Sequence, residues 1–297
     1  MKQFIKGFFF FIFPILAVFC VLEILVRDSN SLYKEKWKGY TTKADSIEVL
    51  VLGNSHAMNA IAPKEFDLFT YNMAFGSQTL YFDKAITLKQ IKNMPNLKYV
   101  LISIDYHSLY YTHNEARDIF YHYYYNIDYN NKNYVLEDIS WIYALGFKQT
   151  IRDHLQRTKA NSYRGYVSHN STNWNVMDTL NGKKRVEQLE AGFSEENNIT
   201  NNLNSFINTL KSKGITPILI TLPCHKYFNQ YLNKEVVKKN NLEINKICAL
   251  NKIPYWNLVN QTYPDSLFYN VDHLNKHGAK KVSTELNLMI QNINRNL

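Results

Sequence analysis

The run Ile47-Glu48-Val49-Leu50-Val51-Leu52-Gly53-Asn54-Ser55-His56 decides the fold. Residues 47 to 52 are apolar and rich in β-branched side chains, Glu48 excepted, and the run stops at a glycine. A short continuous apolar run closed by a turn residue marks a strand buried on both faces, as in a parallel sheet. A small residue, a polar residue and a serine follow it directly. Such a turn presents the Ser55 hydroxyl at the rim of a sheet, with the serine's own backbone N–H facing the same space. A serine becomes a nucleophile only beside a base. His56 is its neighbour in sequence, but adjacent side chains diverge, so His56 is not assigned that role. Ser55 could instead cap the helix that follows.

Working outward, Tyr99 to Ile104 is a second buried strand, Thr216 to Leu222 a third, and Ile253 to Leu258 a short fourth. Helical patterns cover Phe82 to Lys92, residues 199 to 213 (stopped by Gly214), Leu232 to Leu250 and Lys276 to Ile293. Strands alternating with helices imply an α/β fold with a parallel sheet covered on both faces. Active residues in such folds gather at the carboxyl ends of the strands. From about Tyr106 to Glu195 the alternation breaks. This stretch is dense in Asn and Tyr, with Tyr110, Tyr111, Tyr121, Tyr123, Tyr124, Tyr125, Tyr129 and Tyr134, and it reads as a mostly helical insertion. Its tyrosines either pack the insertion on the core or stack on sugars.

The chain has 297 residues, 45% of them hydrophobic and 20% charged, enough to bury a full core. That excludes a disordered chain, a collagen and a disulfide-stapled miniprotein. The net charge of +9 fits an anionic partner or simply solvated helix faces. The longest basic block is Lys183-Lys184-Arg185, and neither zinc-finger spacing nor an RNP-like strand occurs, so nucleic acid is not an expected partner. Of the three cysteines, Cys20 lies in an apolar segment, while Cys224 and Cys248 could pair or stay as free thiols. No CxxC occurs; no metal and no cofactor are expected.

Residues 7 to 26 read GFFFFIFPILAVFCVLEILV, about the length a bilayer core needs. A cleaved signal peptide is the rival, but the end of the run (Glu23, Ile24, Leu25, Val26) lacks small residues. Phe19 before Cys20 does not fit a lipoprotein signal. The expected plan is an N-terminal tail 1–6, a transmembrane anchor 7–26, a polar juxtamembrane linker 27–45 and a main domain 46–297 with the insertion 106–195. Lys2 and Lys6 before the span, against Arg27, Lys34, Lys36 and Lys38 after it, would by charge place the domain in the cytoplasm.

Near the C-terminus stands Phe268-Tyr269-Asn270-Val271-Asp272-His273-Leu274-Asn275-Lys276-His277-Gly278-Ala279. A histidine before the last helix suits a general base near neutral pH. This stretch and the first one together resemble the SGNH/GDSL hydrolase superfamily. Gly53-Asn54-Ser55-His56 is similar to its first block. Tyr71-Asn72-Met73-Ala74-Phe75-Gly76-Ser77 is similar to its second, which supplies an oxyanion-hole N–H. His273-Leu274-Asn275 with Gly278-Ala279 is similar to the last. The resemblance covers roughly residues 46–105 and 197–297. It implies a three-layer flavodoxin-like SGNH fold with Ser55 as nucleophile, His273 as base, and Asn54, Gly76, Ser77 and His107 around the oxyanion or substrate.

Two positions depart from the family pattern. The family usually has Asp three residues before the histidine, where this chain has Asn270; Asp272 stands beside His273, an awkward place from which to orient the same ring. The third block's Asn is missing from Asp105-Tyr106-His107-Ser108, with His107 near its position. One N-terminal span before such a domain resembles the cell-envelope acyltransferase-like branch, with the D-alanyl-lipoteichoic acid biosynthesis and alginate O-acetyltransferase-like proteins. That implies an extracytoplasmic domain, an envelope polysaccharide or acylated glycan as partner, and a membrane-bound O-acyltransferase working beside it. The expected function is a serine-dependent O-acyltransferase or carbohydrate esterase. The alternative, favoured by Asn270 and the missing Asn, is a non-catalytic binding or assembly protein of an envelope polymer pathway.

Overall fold

The computed structural model describes residues 1–27, 31–112, 115–132, 139–145, 162–194, 198–259 and 261–295. Among the described residues there are seven strands: β1 (Val49–Leu52), β2 (Thr70–Asn72), β3 (Tyr99–Ser103), β4 (Ser162–Tyr163), β5 (Tyr166–Val167), β6 (Thr216–Thr221) and β7 (Tyr255–Asn257). Five of them make one sheet in the order β2-β1-β3-β6-β7, with every neighbouring pair parallel. Numbered within the sheet alone, that order is the flavodoxin-like 2-1-3-4-5. β4 and β5 pair separately as an antiparallel hairpin.

The period-two alternation of the strands sorts their side chains into two cores. Leu50, Leu52, Val100, Ile102 and Leu219 face one side, where Phe82, Ile86, Leu203, Phe206 and Ile247 cover them from the helices Leu80–Gln90, Asn198–Lys211 and Lys234–Asn251. Val49, Val51, Leu101, Ile218 and Ile220 face the other, under Ala57, Ala60, Val282, Leu286 and Ile290 from Ser55–Ala60 and Lys276–Arg295. Each fully buried aliphatic side chain contributes about 1.5–3 kcal/mol, so the two faces together supply the driving force for a three-layer α/β fold. Because all five strands are parallel, their carboxyl ends share one rim.

The sequence pattern missed β2, whose three residues are Thr, Tyr and Asn and carry no aliphatic run. The segment expected as a linker is not one. Residues Leu32–Thr42 form a helix that Ser31 caps and that buries Tyr33, Lys36 and Tyr40. Its inner face is built from tyrosines and a lysine stem, so ordinary hydrophobic periodicity does not register it. Nor do residues 2–6 form a separate tail, since one helix runs Lys2–Arg27. This 26-residue helix, with an 18-residue window of mean hydropathy 2.8, is long and apolar enough to cross a membrane. Glu23, the acid within it, accepts from Trp141 N and Ile142 N and so caps the short helix Trp141–Leu145.

The described part of the insertion is helical at Glu115–Tyr125, Trp141–Leu145 and Thr179–Glu190, but it also carries the β4–β5 hairpin. At the hairpin turn Gly165 has φ +82°, and a Cβ there would lie 1.9 Å from Asn72 O. The absent side chain therefore lets the hairpin seat on the end of β2, where Asn72 N donates to Arg164 O. Tyr121 and Tyr125 follow the packing alternative. Both are buried, Tyr121 stacks on Phe82 at 3.9 Å, and Tyr33 stacks on Phe75 at 3.8 Å. Tyr134 and residues 146–161 lie outside the described residues. Cys224 and Cys248 are separate free thiols.

Candidate active site

Three loops at the carboxyl rim build the site. After β1, Gly53 turns the chain at φ +129°; its backbone packs so close to β3 that a Cβ would lie 2.6 Å from Ser103 Cβ. Gly53 N donates to Asp83 Oδ1 at 3.0 Å, which ties the turn to the helix Leu80–Gln90. Asn54 then caps the helix Ser55–Ala60 by accepting from His56 N at 2.9 Å. The cap is therefore Asn54, and the Ser55 hydroxyl is left free for other work.

After β2 the chain continues alongside β1, with Met73 N donating to Val51 O and Phe75 N to Gly53 O. The ladder thus carries Gly76 and Ser77 to the same rim as Asn54 and Ser55. A Cβ on Gly76 would meet nothing within 4 Å, and Ser77 has φ +58°. Asn72, at the head of this block, is buried and structural: it donates to Ala57 O and Ile61 O and accepts from Ala74 N.

The third loop precedes the last helix. Phe268 and Leu274 form an antiparallel bridge, and Tyr269 N donates to His273 O, so residues 268–274 make a tight turn carrying the histidine. Asn275 caps the helix Lys276–Arg295 through His277 N and Gly278 N. At Gly278 a Cβ would lie 2.2 Å from Leu267 O, so this glycine permits the turn to pack on the helix start.

These loops set Ser55 Oγ 2.8 Å from His273 Nε2. On the ring's other side, Asn270 Oδ1 stands 3.1 Å from Nδ1 and Asp272 Oδ1 stands 2.9 Å from it. With Nδ1 protonated toward these oxygens, Nε2 is the lone-pair nitrogen that accepts the Ser55 hydroxyl. The expected awkwardness of Asp272 does not arise. Asn270 Oδ1 also accepts from Asp272 N and His273 N, and this Asx turn folds the chain so that adjacent residues reach each other. Asn270 organises the turn, and Asp272 brings the charge.

Asp272 is 2% exposed, and a second set of charges surrounds it. Arg185 Nε donates to Oδ2 at 2.5 Å, and His56 Nε2 lies 3.6 Å from the same oxygen. Burial alone would raise its carboxyl, but His273, His56 and Arg185 hold it well below the usual carboxylate range. His56 is equally buried, with Nδ1 3.4 Å from Asp105 Oδ1. Burial favours its neutral ring; the Asp105 and Asp272 carboxylates beside it outweigh that and raise it well above the usual histidine range. Burial pushes the Cys224 thiol up, and its S–H donates to Asp272 O at 3.7 Å, so it serves as a neutral filler.

His107 contacts Asn54, another residue expected around the oxyanion or substrate. It is buried, its Nε2 accepts from Asn54 Nδ2 at 3.0 Å, and burial with the nearby His56 pushes it down to about 3. It is a neutral ring that braces Asn54. Asp83, also buried, is pushed up to about 7 by desolvation. His56, Asp272 and His273 bring ligand atoms within 4.8 Å of one another, a spacing a metal could use. Here the Arg185 cation sits on Asp272 Oδ2 and Ser55 on His273 Nε2, so the same donors are already engaged and fit a cation poorly.

Sequence reasoning did not assign Arg185 or Asp105 to the site. Asp105, the second residue after β3, carries a signal that could have found it: a polar residue at the carboxyl end of a buried strand. Arg185 comes from the insertion, in a block that reads as surface charge, and no local pattern ties it to Asp272.

No family model and no curated protein matches the chain. Solved structures do resemble it. A Bacteroides fragilis protein assigned as an acylhydrolase is 14% identical, with 91% of this chain and 99% of that one covered and a TM-score of 0.45. A GDSL-like lipase from Bacteroides thetaiotaomicron is 12% identical over 90% and 100% of the two chains, TM-score 0.43. A catalytic mutant of an acetylxylan esterase from Geobacillus stearothermophilus is 10% identical over 83% and 94%, TM-score 0.38.

Proposed function

We propose that the chain is a membrane-anchored, SGNH-type serine esterase or O-acyltransferase that acts on acyl groups of a cell-envelope polysaccharide. The 2.8 Å contact between Ser55 Oγ and His273 Nε2, with Asp272 at Nδ1, is the observation that carries it. In the first half-reaction Ser55 Oγ attacks the ester carbonyl carbon while His273 Nε2 takes the hydroxyl proton. The tetrahedral adduct collapses by breaking the bond to the alcohol oxygen, which leaves with the proton from His273. The acyl group stays on Ser55. Water or a sugar hydroxyl then gives its proton to His273 and attacks the acyl carbon, releasing Ser55; water makes the enzyme an esterase, a sugar makes it a transferase. Backbone N–H groups of Ser55 and the Gly76–Ser77 segment are the oxyanion donors in this reading, and each such donor is worth about 3 kcal/mol.

The binding-protein reading drew on Asn270 in place of an acid and on the missing third-block Asn, and the structure bears on the first. Asp272 at Nδ1 removes that support, since the ring has a carboxylate partner. Ser55 and His273 both keep some exposure, which an acyl group carried on a polymer needs. The domain is read as extracytoplasmic, with a membrane-bound O-acyltransferase working beside it and no cofactor. The test is hydrolysis of a small aryl acetate by the full chain in detergent, repeated with acetylated and unacetylated glycans. Activity in wild type and none in Ser55→Ala supports the proposal; equal rates in both refute it. A periplasmic or surface reporter fused after Leu297 should be active, and a reporter active only in the cytoplasm would refute the envelope role.

A further inference from the structure

Behind the reactive pair lies a second histidine–carboxylate pair that the acyl chemistry does not need. We infer that His56 is a positioning residue, a buried cation that bridges Asp105 to Asp272 and so sets the charge His273 feels. The inference rests on the serine esterase reading above. Its chain of contacts runs Asp105 Oδ1 to His56 Nδ1 at 3.4 Å, His56 Nε2 to Asp272 Oδ2 at 3.6 Å, Asp272 Oδ1 to His273 Nδ1 at 2.9 Å, and His273 Nε2 to Ser55 Oγ at 2.8 Å.

The two contacts that His56 makes are too long for hydrogen bonds, and His56 Nε2 and Asp105 Oδ1 are buried without a hydrogen-bond partner. What joins them is charge. An unpaired carboxylate buried this deeply is costly, and His56 is the ion-pair partner of Asp105 among the described residues. Asp272 has two cations, Arg185 and His56. With both carboxylates ionised and both cations charged, the group sums to zero. The backbone fixes where the cation sits, because Asn54 holds His56 N at the first turn of its helix. The His56 ring stands edge-on to His273, with centroids 5.2 Å apart and planes at 85°.

Among the described residues, the titratable groups facing His56 come from three loops. Asp105 and His107 come from the loop after β3, Cys224 from the loop after β6, Asp272 and His273 from the turn before the last helix, with Arg185 behind Asp272. His107 and Cys224 are neutral, so the carboxylates and the two cations set the field. In catalysis His273 gains a proton while negative charge grows on the acyl oxygen. A neutral group behind it lets His273 release its proton at lower pH than a net anion would. Removing the His56 charge leaves one surplus carboxylate, and His273 then holds its proton to higher pH.

The test needs no knowledge of the substrate. A fluorophosphonate reacts with an activated serine hydroxyl, forming a phosphorus–Oγ bond and releasing fluoride, while the hydroxyl proton passes to the base. Its rate of reaction with the full chain, followed against pH, has an acid limb set by His273. In His56→Gln that limb should move up by about one pH unit, because a cation about 5 Å from the ring is gone. In Asp105→Asn it should move the same way but by less, because His56 without its carboxylate loses its proton while the Asp105 charge, on the far side of His56, goes with it. The double variant should shift no further than His56→Gln alone. Thermal melts check folding, and if His56→Gln does not fold, the isosteric Asp105→Asn carries the test. Slower labelling at every pH with an unmoved limb would mean a merely structural role and would overturn the inference. An additive double shift would overturn it too. Wild type that is never labelled would instead overturn the nucleophile reading, and this inference with it.

Discussion

Replacing Asp272 by Asn keeps the shape of the turn and removes one charge. The carboxylate and the imidazolium of His273 have charge centres roughly 4 Å apart, worth about 4 kcal/mol at an effective dielectric near 20. That is about three decades in rate. Two features of the structure bear on the size. Arg185, 2.5 Å from Oδ2, would now face an amide oxygen, which it tolerates. The amide nitrogen would then face His273 Nδ1 and favour the wrong tautomer, the known failing of an Asp-to-Asn change in a serine-protease triad. KM should change little, because Asp272 is 2% exposed and lies behind the ring, away from any substrate. The assay is kcat and KM on an aryl acetate with the full chain in detergent, beside a thermal melt. A fall of about a thousand-fold in kcat is expected. If Asp272→Asn stays within about three-fold of wild type while Ser55→Ala is dead, then Asn270 alone orients the ring, and the role given to Asp272 is wrong.

Three further outcomes follow from the same contacts. Asn270→Asp sets a second carboxylate beside Asp272, so the acid limb of kcat/KM should move to higher pH while the plateau kcat does not rise; a higher plateau would mean that Asn270 is a degraded acid after all. Asp83, pushed up to about 7 by burial, favours its neutral form when folded, so its stabilising effect is complete below the unfolded value near 4 and is lost as pH rises toward 7. Asp83→Asn should therefore leave denaturant stability unchanged at pH 4 and raise it by about 2–4 kcal/mol at pH 8; an equal change at both would contradict it. Lys36, buried against Ala74 O and pushed down to about 7, has the opposite sign: its stabilising effect is present above the unfolded value and lost as pH falls to 7. Between pH 7 and 10 wild type should gain about 3–5 kcal/mol that Lys36→Met lacks, and parallel pH curves for the two would refute the burial of a neutral amine.

The parts of this molecule that can be read from sequence are those whose physics is local. β1, β3 and β6 announce themselves because strands covered on both faces must be continuously apolar, and the serine after β1 and the histidine before the last helix sit where parallel strands end. β2 and the helix Leu32–Thr42 are hidden because Tyr71, Tyr33, Tyr40 and the stem of Lys36 bury their surface while scoring as polar. The role of Asp272 depends on an Asx turn at Asn270, which a rule about spacing does not contain. Arg185 belongs to the site only through its contact with Asp272, 87 residues away in the chain, which no window of sequence spans; Asp105 stands at a strand end, but its partner His56 is 49 residues away.

The central claim is that Ser55 carries an acyl group put there with the help of His273. It is tested most directly by rapid acid quench of the full chain during turnover of an aryl acetate, followed by peptide mapping by mass. The account predicts one acetyl group on the peptide holding Ser55, absent in Ser55→Ala and formed far more slowly in His273→Gln. An acetyl group found on another residue, or formed at the same rate in His273→Gln, would contradict it.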